Sequence, residues 1–424
     1  MSWRFICHFL MLDESSRTAS TAVFWPTLIC ILLLFFTVKS YSYQSETLPQ
    51  GISNSTFSYG QITGLDERYQ QDGKLVKLKD YKSIEFDAPT LARFNPQART
   101  LVQTLNRFGL YNAGDLFNLG TLEFETTPVI KYTAPVYAYG ITSNWTVGFG
   151  VPVIQYTNHV KMTQSLSNVD YYKQFRGLSP DLDAALDTDL GGATQSALAQ
   201  KGYKPIEDRS ENFIGDIQLV SVWKIFDDGD SKLIHETTLG LPTGPQYDPD
   251  DLLALNTFHK TTLENLIGYT KYVSTFMSVS PYFNLRYVLP HEITARVPQS
   301  ADDVLPDESQ KDNVTWSESP AFEVGTRMNF NISQDFAMSF DYRYGQKNAD
   351  EYSSSSKGDT ALLAENTKSF WHKVALQLDY STVKSYLKKE SLLPMTLSFL
   401  AYDTIKGENI ERRTGQEISI ALFY

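Results

Sequence analysis

Five histidines stand outside the first 42 residues: His159, His235, His259, His291 and His372. Hydrolytic chemistry would need one of them beside a serine that it activates, with a third polar group to orient the ring. None is followed two residues later by serine, and no Gly-x-Ser-x-Gly occurs. Metal chemistry is no better served, because no two histidines stand at i, i+2 or i, i+4. Both cysteines, Cys7 and Cys30, fall within the first 42 residues, so a form cut after that point has no thiol for a disulfide, a nucleophile or a metal. Acidic oxygens cluster at Asp181, Asp183, Asp187 and Asp189, and again at Asp248, Asp250 and Asp251. Their spacing matches no EF-hand, and a solvated, partly helical loop is the plainer reading, with cation binding left open. Neither a catalytic site, a metal site nor a cofactor is expected. With 37 Lys+Arg against 49 Asp+Glu, a net charge of -12 and no basic block, no nucleic-acid partner is expected either.

What remains is surface, and the surface is aromatic: 25 Tyr and 25 Phe exceed what a soluble core of this size needs. The uncharged run Ala22 to Val38, preceded by Arg17 and followed by Ser40-Tyr41-Ser42, reads as a secretory signal over residues 1–42. After Ser42 no stretch approaches the ~18 consecutive apolar residues of a membrane helix. If the exported chain spans a membrane, it does so with strands.

The periodicity agrees. In Phe336 to Gly345 the residues Phe336, Met338, Phe340, Tyr342 and Tyr344 face one way, and Ala337, Ser339, Asp341 and Arg343 the other. Phe322 to Phe330 and Glu417 to Tyr424 alternate in the same manner. Extended along the chain, the pattern predicts about 12 strands, starting near Leu119, Ile130, Trp145, Phe213, Lys232, Thr262, Phe276, Trp316, Phe336, Phe370, Leu393 and Arg413. Short turns alternate with long loops, as in a bacterial outer-membrane barrel. The expected fold is therefore all-β, a transmembrane antiparallel β-barrel over residues 118–424, located in the cell outer membrane and in contact with its lipid and lipopolysaccharide. Leu422-Phe423-Tyr424 resembles the C-terminal signal that hands such barrels to their insertion machinery, with Tyr424 as the contact.

If the greasy faces meet lipid, the opposite residues line the lumen. They include Asp216, Lys224, Glu236, Arg286, Glu323, Arg327, Asp341, Arg343, Lys373 and Asp379, with Glu123, Glu125 and Lys131 assigned to the same face. Their signs nearly cancel. Glu323/Arg327, Asp341/Arg343 and Lys373/Asp379 lie on consecutive strands about 4.8 Å apart and are expected to form a bracing ion ladder. Twelve strands enclose a narrow interior, short of the 16 to 18 that leave a broad aqueous channel. Residues 43–117 form an N-terminal extension with Leu101 and Leu105 at helical spacing, expected either to plug the lumen or to pack beside the barrel.

Gly215-Asp216-Ile217, then Leu239-Gly240-Leu241-Pro242-Thr243-Gly244, then Asp248-Pro249-Asp250-Asp251-Leu252 resembles the outer-membrane proteins of meta-pathway phenol degradation. Those are relatives of the long-chain fatty acid and aromatic-hydrocarbon transporters. Trp145 to Val153, with Gly148, Gly150 and Pro152, is similar to an earlier segment of that family, whereas the long insertion between Lys161 and Glu211 departs from it. The resemblance implies passive uptake of small hydrophobic solutes, aromatic ones included. Two other classes stand beside it: a structural or adhesive barrel presenting its long loops, and a membrane-embedded phospholipase, for which the required His-x-Ser is missing.

Overall fold

The computed structural model describes residues 46–77, 84–88, 96–108, 113–255, 257–301, 303, 305–354 and 360–424. The expected signal segment, residues 1–42, lies outside them. No helix among the described residues is long and apolar enough to cross a membrane.

Twelve antiparallel strands close into a barrel in simple chain order. They are β1 (Ser53–Thr63), β2 (Asn118–Thr142), β3 (Trp145–Gly150, resumed as Val153–Ser165) and β4 (Arg209–Ile214, resumed as Ile217–Asp227). Then come β5 (Ser231–Leu241), β6 (Thr262–Tyr272), β7 (Met277–Val288) and β8 (Ala321–Asn331). The last are β9 (Phe336–Lys347), β10 (Ser369–Ser381), β11 (Met395–Glu408) and β12 (Thr414–Phe423). Closure is made by β1, which pairs with β12 from Asn54↔Phe423 to Thr63↔Thr414 and with β2 from Ser53↔Tyr139 to Ile62↔Ile130. Every strand then has two neighbours, so no edge is left open and the backbone needs no water to satisfy it.

The strand number expected from periodicity stands, but three assignments change. The strands placed at Leu119 and Ile130 are a single strand, Asn118–Thr142, running straight through Pro128 and Pro135. The missing twelfth strand is β1, inside the segment placed ahead of the barrel. Its sequence, SNSTFSYGQIT, offers only Phe57 and Tyr59 as large outward residues, too few to show alternation. The strand placed at Trp316 begins at Ala321; Lys311–Ser317 pairs instead with His291–Arg296 and Glu351–Ser354 in a small sheet above the barrel.

Outward positions carry exposed Phe57, Tyr59, Phe149, Trp223, Ile225, Ile267, Phe283, Leu285, Phe340, Leu376, Phe399, Ile418 and Ile420. Such a continuous apolar wall suits hydrocarbon and would be a liability in water. Near the short turns Trp145 stacks on Trp223 at 4.8 Å, and Phe276 lies 5.8 Å from Phe330, where an interfacial aromatic girdle belongs.

Inside, aromatic rings lie flat on glycines of the neighbouring strand: Tyr132 on Gly60, Tyr402 on Gly415, Tyr282 on Gly325 and Trp371 on Gly345. A Cβ built on Gly325 would stand 2.4 Å from the Tyr282 ring, which no rotamer of the buried tyrosine easily avoids. Gly325→Ala is expected to cost roughly 1–3 kcal/mol by overpacking, read as a lower denaturant midpoint with the folded gel mobility retained.

Candidate functional site

The motif Gly215-Asp216 lies where two adjacent strands break together. β3 is interrupted at Val151-Pro152 and β4 at Gly215-Asp216, and the Gly215 N–H still donates to the Pro152 carbonyl at 2.8 Å. Proline removes a ladder donor and glycine relaxes the backbone, so a paired interruption leaves the Asp216 carboxylate free to turn towards the connection between β5 and β6. Its Oδ1 accepts the N–H of Gly244 at 2.8 Å and of His259 at 3.0 Å, and its Oδ2 that of Lys260 at 3.2 Å. Thr243 Oγ1 donates to the Gly215 carbonyl at 2.9 Å and accepts from the Ile217 N–H. The Leu-Pro-Thr-Gly strand end is thus one half of a clamp, and Asp216 the other.

The clamp holds both ends of a loop that folds back onto the inner wall. Arg209 of β4 grips Asp251 with two bonds of 2.6 and 2.8 Å, and Tyr156 of β3 donates to the Leu253 carbonyl at 3.0 Å. Leu255 and Phe258 join one apolar cluster with Ile130, Tyr132, Ile154, Tyr156, Leu400 and Tyr402, all on inward faces, and with Ile62 of β1. Phe258 also meets Phe213 edge-on at 5.2 Å. An aromatic-lined apolar patch inside an otherwise polar barrel is what a sequence reading by strands alone misses, because its key residues sit on a loop. Asp216→Ala is expected to remove three charge-assisted bonds worth roughly 1.5–3 kcal/mol each at most. Faster hydrogen exchange at Gly244, His259 and Lys260, with strand amides unchanged, is the measurement.

Deeper in the bore the ionic residues gather on β7 to β10. Asp341 Oδ1 accepts from Arg343 at 2.8 Å, Asp341 Oδ2 lies 3.5 Å from Arg327 Nε, and the Tyr282 hydroxyl donates to the same carboxylate at 3.1 Å. All three charged residues are buried. Lys373 lies 3.9 Å from Glu323, which accepts from Trp371 Nε1 at 2.8 Å. Asp379 accepts from Gln377 at 2.8 Å rather than pairing with Lys373. Arg286 lies between Glu264 at 3.5 Å and Glu318 at 3.2 Å. Glu318 also binds Lys260 at 3.1 Å, and the Lys260 ammonium sits 3.8 Å over the Trp316 ring. Burial pushes the Glu318 carboxyl up, but Lys260, Arg286 and Lys347 outweigh it and hold it down at about 2.

The remaining lumen assignments divide. Glu236 faces in beside Thr238, 3.5 Å away, and Lys224 lies near the short-turn end, 3.5 Å from Asp227. Asp216 belongs to the loop clamp. Glu123 and Glu125 are exposed, and Lys131 points away from the buried Ile130 and Tyr132, so their assignment to the lumen is reversed. On β2 the greasy face is the inner one, because it meets the folded-back loop and the inward tyrosines.

Leu101 and Leu105 lie on the helix Pro96–Phe108 and are buried with Phe86, Phe117, Leu122, Tyr172, Leu182 and Leu190. That cluster is built by the upper ends of β2 and β3 and the helices Pro180–Leu186 and Leu190–Gln200 of the long insertion. It is separate from the apolar patch around Phe258. The acidic loop residues serve the same architecture. Asp189 accepts the N–H of Gly191 and Gly192, Asp187 binds Arg176, and Asp250 binds Arg296 at 2.7 Å and Lys311 at 2.7 Å. No group of three or more His, Cys, Asp and Glu able to hold a metal occurs among the described residues. His235 contacts Asn265 at 3.2 Å, His372 the Tyr342 hydroxyl at 2.7 Å, and His159 Asp208 at 3.1 Å.

No protein-family model matches the chain, and no curated protein matches it. Among solved structures it is similar to the COG4313 outer membrane channel from Pseudomonas putida F1, with a TM-score of 0.52 and 10% identity over 90% of this chain and 98% of that one. It also matches the CymD monoaromatic hydrocarbon channel, with a TM-score of 0.32 and 6% identity over 89% of each chain. A third match is the Pseudomonas putida toluene transporter TodX, with a TM-score of 0.29 and 12% identity over 99% of this chain and 96% of that one. The chain is a closed twelve-stranded antiparallel barrel, and its fold is similar to that of the first of these channels.

Proposed function

We propose that this protein is an outer-membrane channel for the passive uptake of small hydrophobic compounds, aromatic ones among them. The carrying observation is the apolar, aromatic-lined patch formed on the inner wall by Leu255 and Phe258 with Tyr132, Tyr156 and Tyr402. A barrel with a greasy exterior needs no apolar patch inside for stability in lipid, where a polar bore would serve as well. An apolar solute, by contrast, gains from such a patch as it leaves water. The likeness to a solved outer-membrane channel and the Gly-Asp/Leu-Pro-Thr-Gly resemblance support the same reading. The outer leaflet of lipopolysaccharide resists apolar solutes, so a protein offering them a path lowers the barrier they meet.

In this reading the loop between β5 and β6 constricts the bore. The Leu101/Leu105 helix acts as part of a cap over the long-loop end, and the buried ion network braces the wall. The exposed Tyr424, whose backbone N–H bonds the Ser53 carbonyl at 3.0 Å, is the contact offered to the insertion machinery. The chain is read as a conduit and not as an enzyme.

Cells with intact lipopolysaccharide, with and without the protein, should differ in entry of the fluorescent apolar probe N-phenyl-1-naphthylamine. The probe is expected to enter faster with the protein, while liposomes containing the purified protein do not swell in sugar. Equal probe rates, or free passage of sugars, would overturn the proposal.

A further inference from the structure

At the end of the barrel that carries the short turns, one connection differs from the rest. The others consist of Ser143-Asn144, Asp228 to Asp230, Val273 to Phe276 and Ile332 to Asp335, and none contains a lysine or arginine. The connection between β10 and β11 contains the short helix Val383–Leu387 and three lysines, Lys384, Lys388 and Lys389, in a chain whose net charge is -12. It also holds two of the three most exposed large apolar side chains among the described residues, Leu392 at 94% and Leu387 at 75%, with Leu393 beside them at 59%.

The segment is held in place rather than left loose. Thr382 Oγ1 donates to the Leu393 carbonyl at 2.6 Å, Ser385 Oγ donates to Asp335 at 2.8 Å, and Lys388 Nζ donates to Gln334 Oε1. The first of these closes the segment on itself, and the other two tie it along the rim to the neighbouring turn. Lys389 ends the helix at φ 64, a left-handed conformation that glycine adopts without strain. A lysine there keeps its charge at a conformational cost. Against the three lysines the segment and the neighbouring turn set two acidic side chains, Asp335, bound by Ser385, and Glu390.

We infer that this rim segment is a docking surface for anionic phospholipid headgroups, with Leu387, Leu392 and Leu393 entering the acyl region and Lys384, Lys388 and Lys389 meeting the phosphates. Exposed leucines beside snorkelling lysines match a membrane interface, where each lysine near an anionic surface adds attraction. The inference rests on the membrane-channel reading, because it needs the short turns to lie at a lipid surface.

The test uses the full, delipidated protein in detergent, offered equal phosphatidylglycerol and phosphatidylethanolamine and examined by native mass spectrometry. Retention of phosphatidylglycerol over phosphatidylethanolamine by about tenfold is expected for the wild type. The triple variant Lys384→Gln, Lys388→Gln, Lys389→Gln should lose that preference, while Leu387→Ser with Leu392→Ser should lower retention of both lipids. Heat-modifiable gel mobility reports whether each variant is folded, and single lysine variants serve if the triple is not. Equal retention of the two lipids by the wild type, or an unchanged preference in folded lysine variants, overturns the inference. Failure of the wild type to insert into liposomes would instead overturn the membrane reading beneath it.

Discussion

Changing Leu255 and Phe258 together to alanine is expected to release the folded-back loop and raise single-channel conductance in a planar bilayer several-fold. Each side chain is almost fully buried against the inner wall, and truncations of this kind cost about 2–5 kcal/mol for leucine and 3–5 kcal/mol for phenylalanine. The loop then loses its two apolar anchors on the wall and is held only through polar bonds such as those of Asp216 and Arg209 and the contacts of Leu253, while β1 to β12 keep their ladder bonds. The same variant should lose the advantage for apolar probes and gain passage of small polar solutes. Unchanged conductance in a correctly folded variant would place the constriction elsewhere. Leu105→Asp, in the cap cluster, separates the two ideas: it is expected to disturb the long-loop end with a smaller effect on conductance than opening the loop at Phe258.

Glu318→Ala is expected to be the most destabilising single change outside the strands. It strips the buried Lys260 of its carboxylate at 3.1 Å and takes the 3.2 Å partner from Arg286, and uncompensated buried charge costs about 3–5 kcal/mol. Urea unfolding followed by gel mobility gives the magnitude. Glu318→Gln should lie between, since it keeps one hydrogen-bonding oxygen but no charge. The pH dependence has a definite sign. With its carboxyl held at about 2 against an ordinary value of 4.5, Glu318 contributes stability that is fully present above pH ~4.5 and is lost as pH falls towards 2. The wild type should therefore keep its loop roof at pH 4, and Glu318→Gln should show a flatter acid profile. Identical acid profiles for the two would remove Glu318 from the account.

The alternation of Phe336 to Gly345, of Phe322 to Phe330 and of the C-terminal strand was readable because strand periodicity is local: each residue's face is set by its immediate neighbours. The same locality placed Arg327, Asp341 and Arg343 on one side of their strands, where they meet. It failed for Ser53–Thr63, whose small polar residues become a strand only by pairing with β12 at the far end of the chain. It also failed on β2, where the strands placed at Leu119 and Ile130 are one, carried past Pro128 by pairing with β3, and where Ile130 and Tyr132 face in. The motif Gly215-Asp216 was visible in the sequence, but its work was not, because the amides it binds lie 28 to 44 residues away. By itself the sequence determined a chain of alternating strands with a greasy outside, its two cysteines confined to the first 30 residues. Closure of the barrel, and the loop that brings Phe258 to the inner wall, were decided only by the tertiary structure, since they depend on contacts between residues far apart in the chain that no local pattern records.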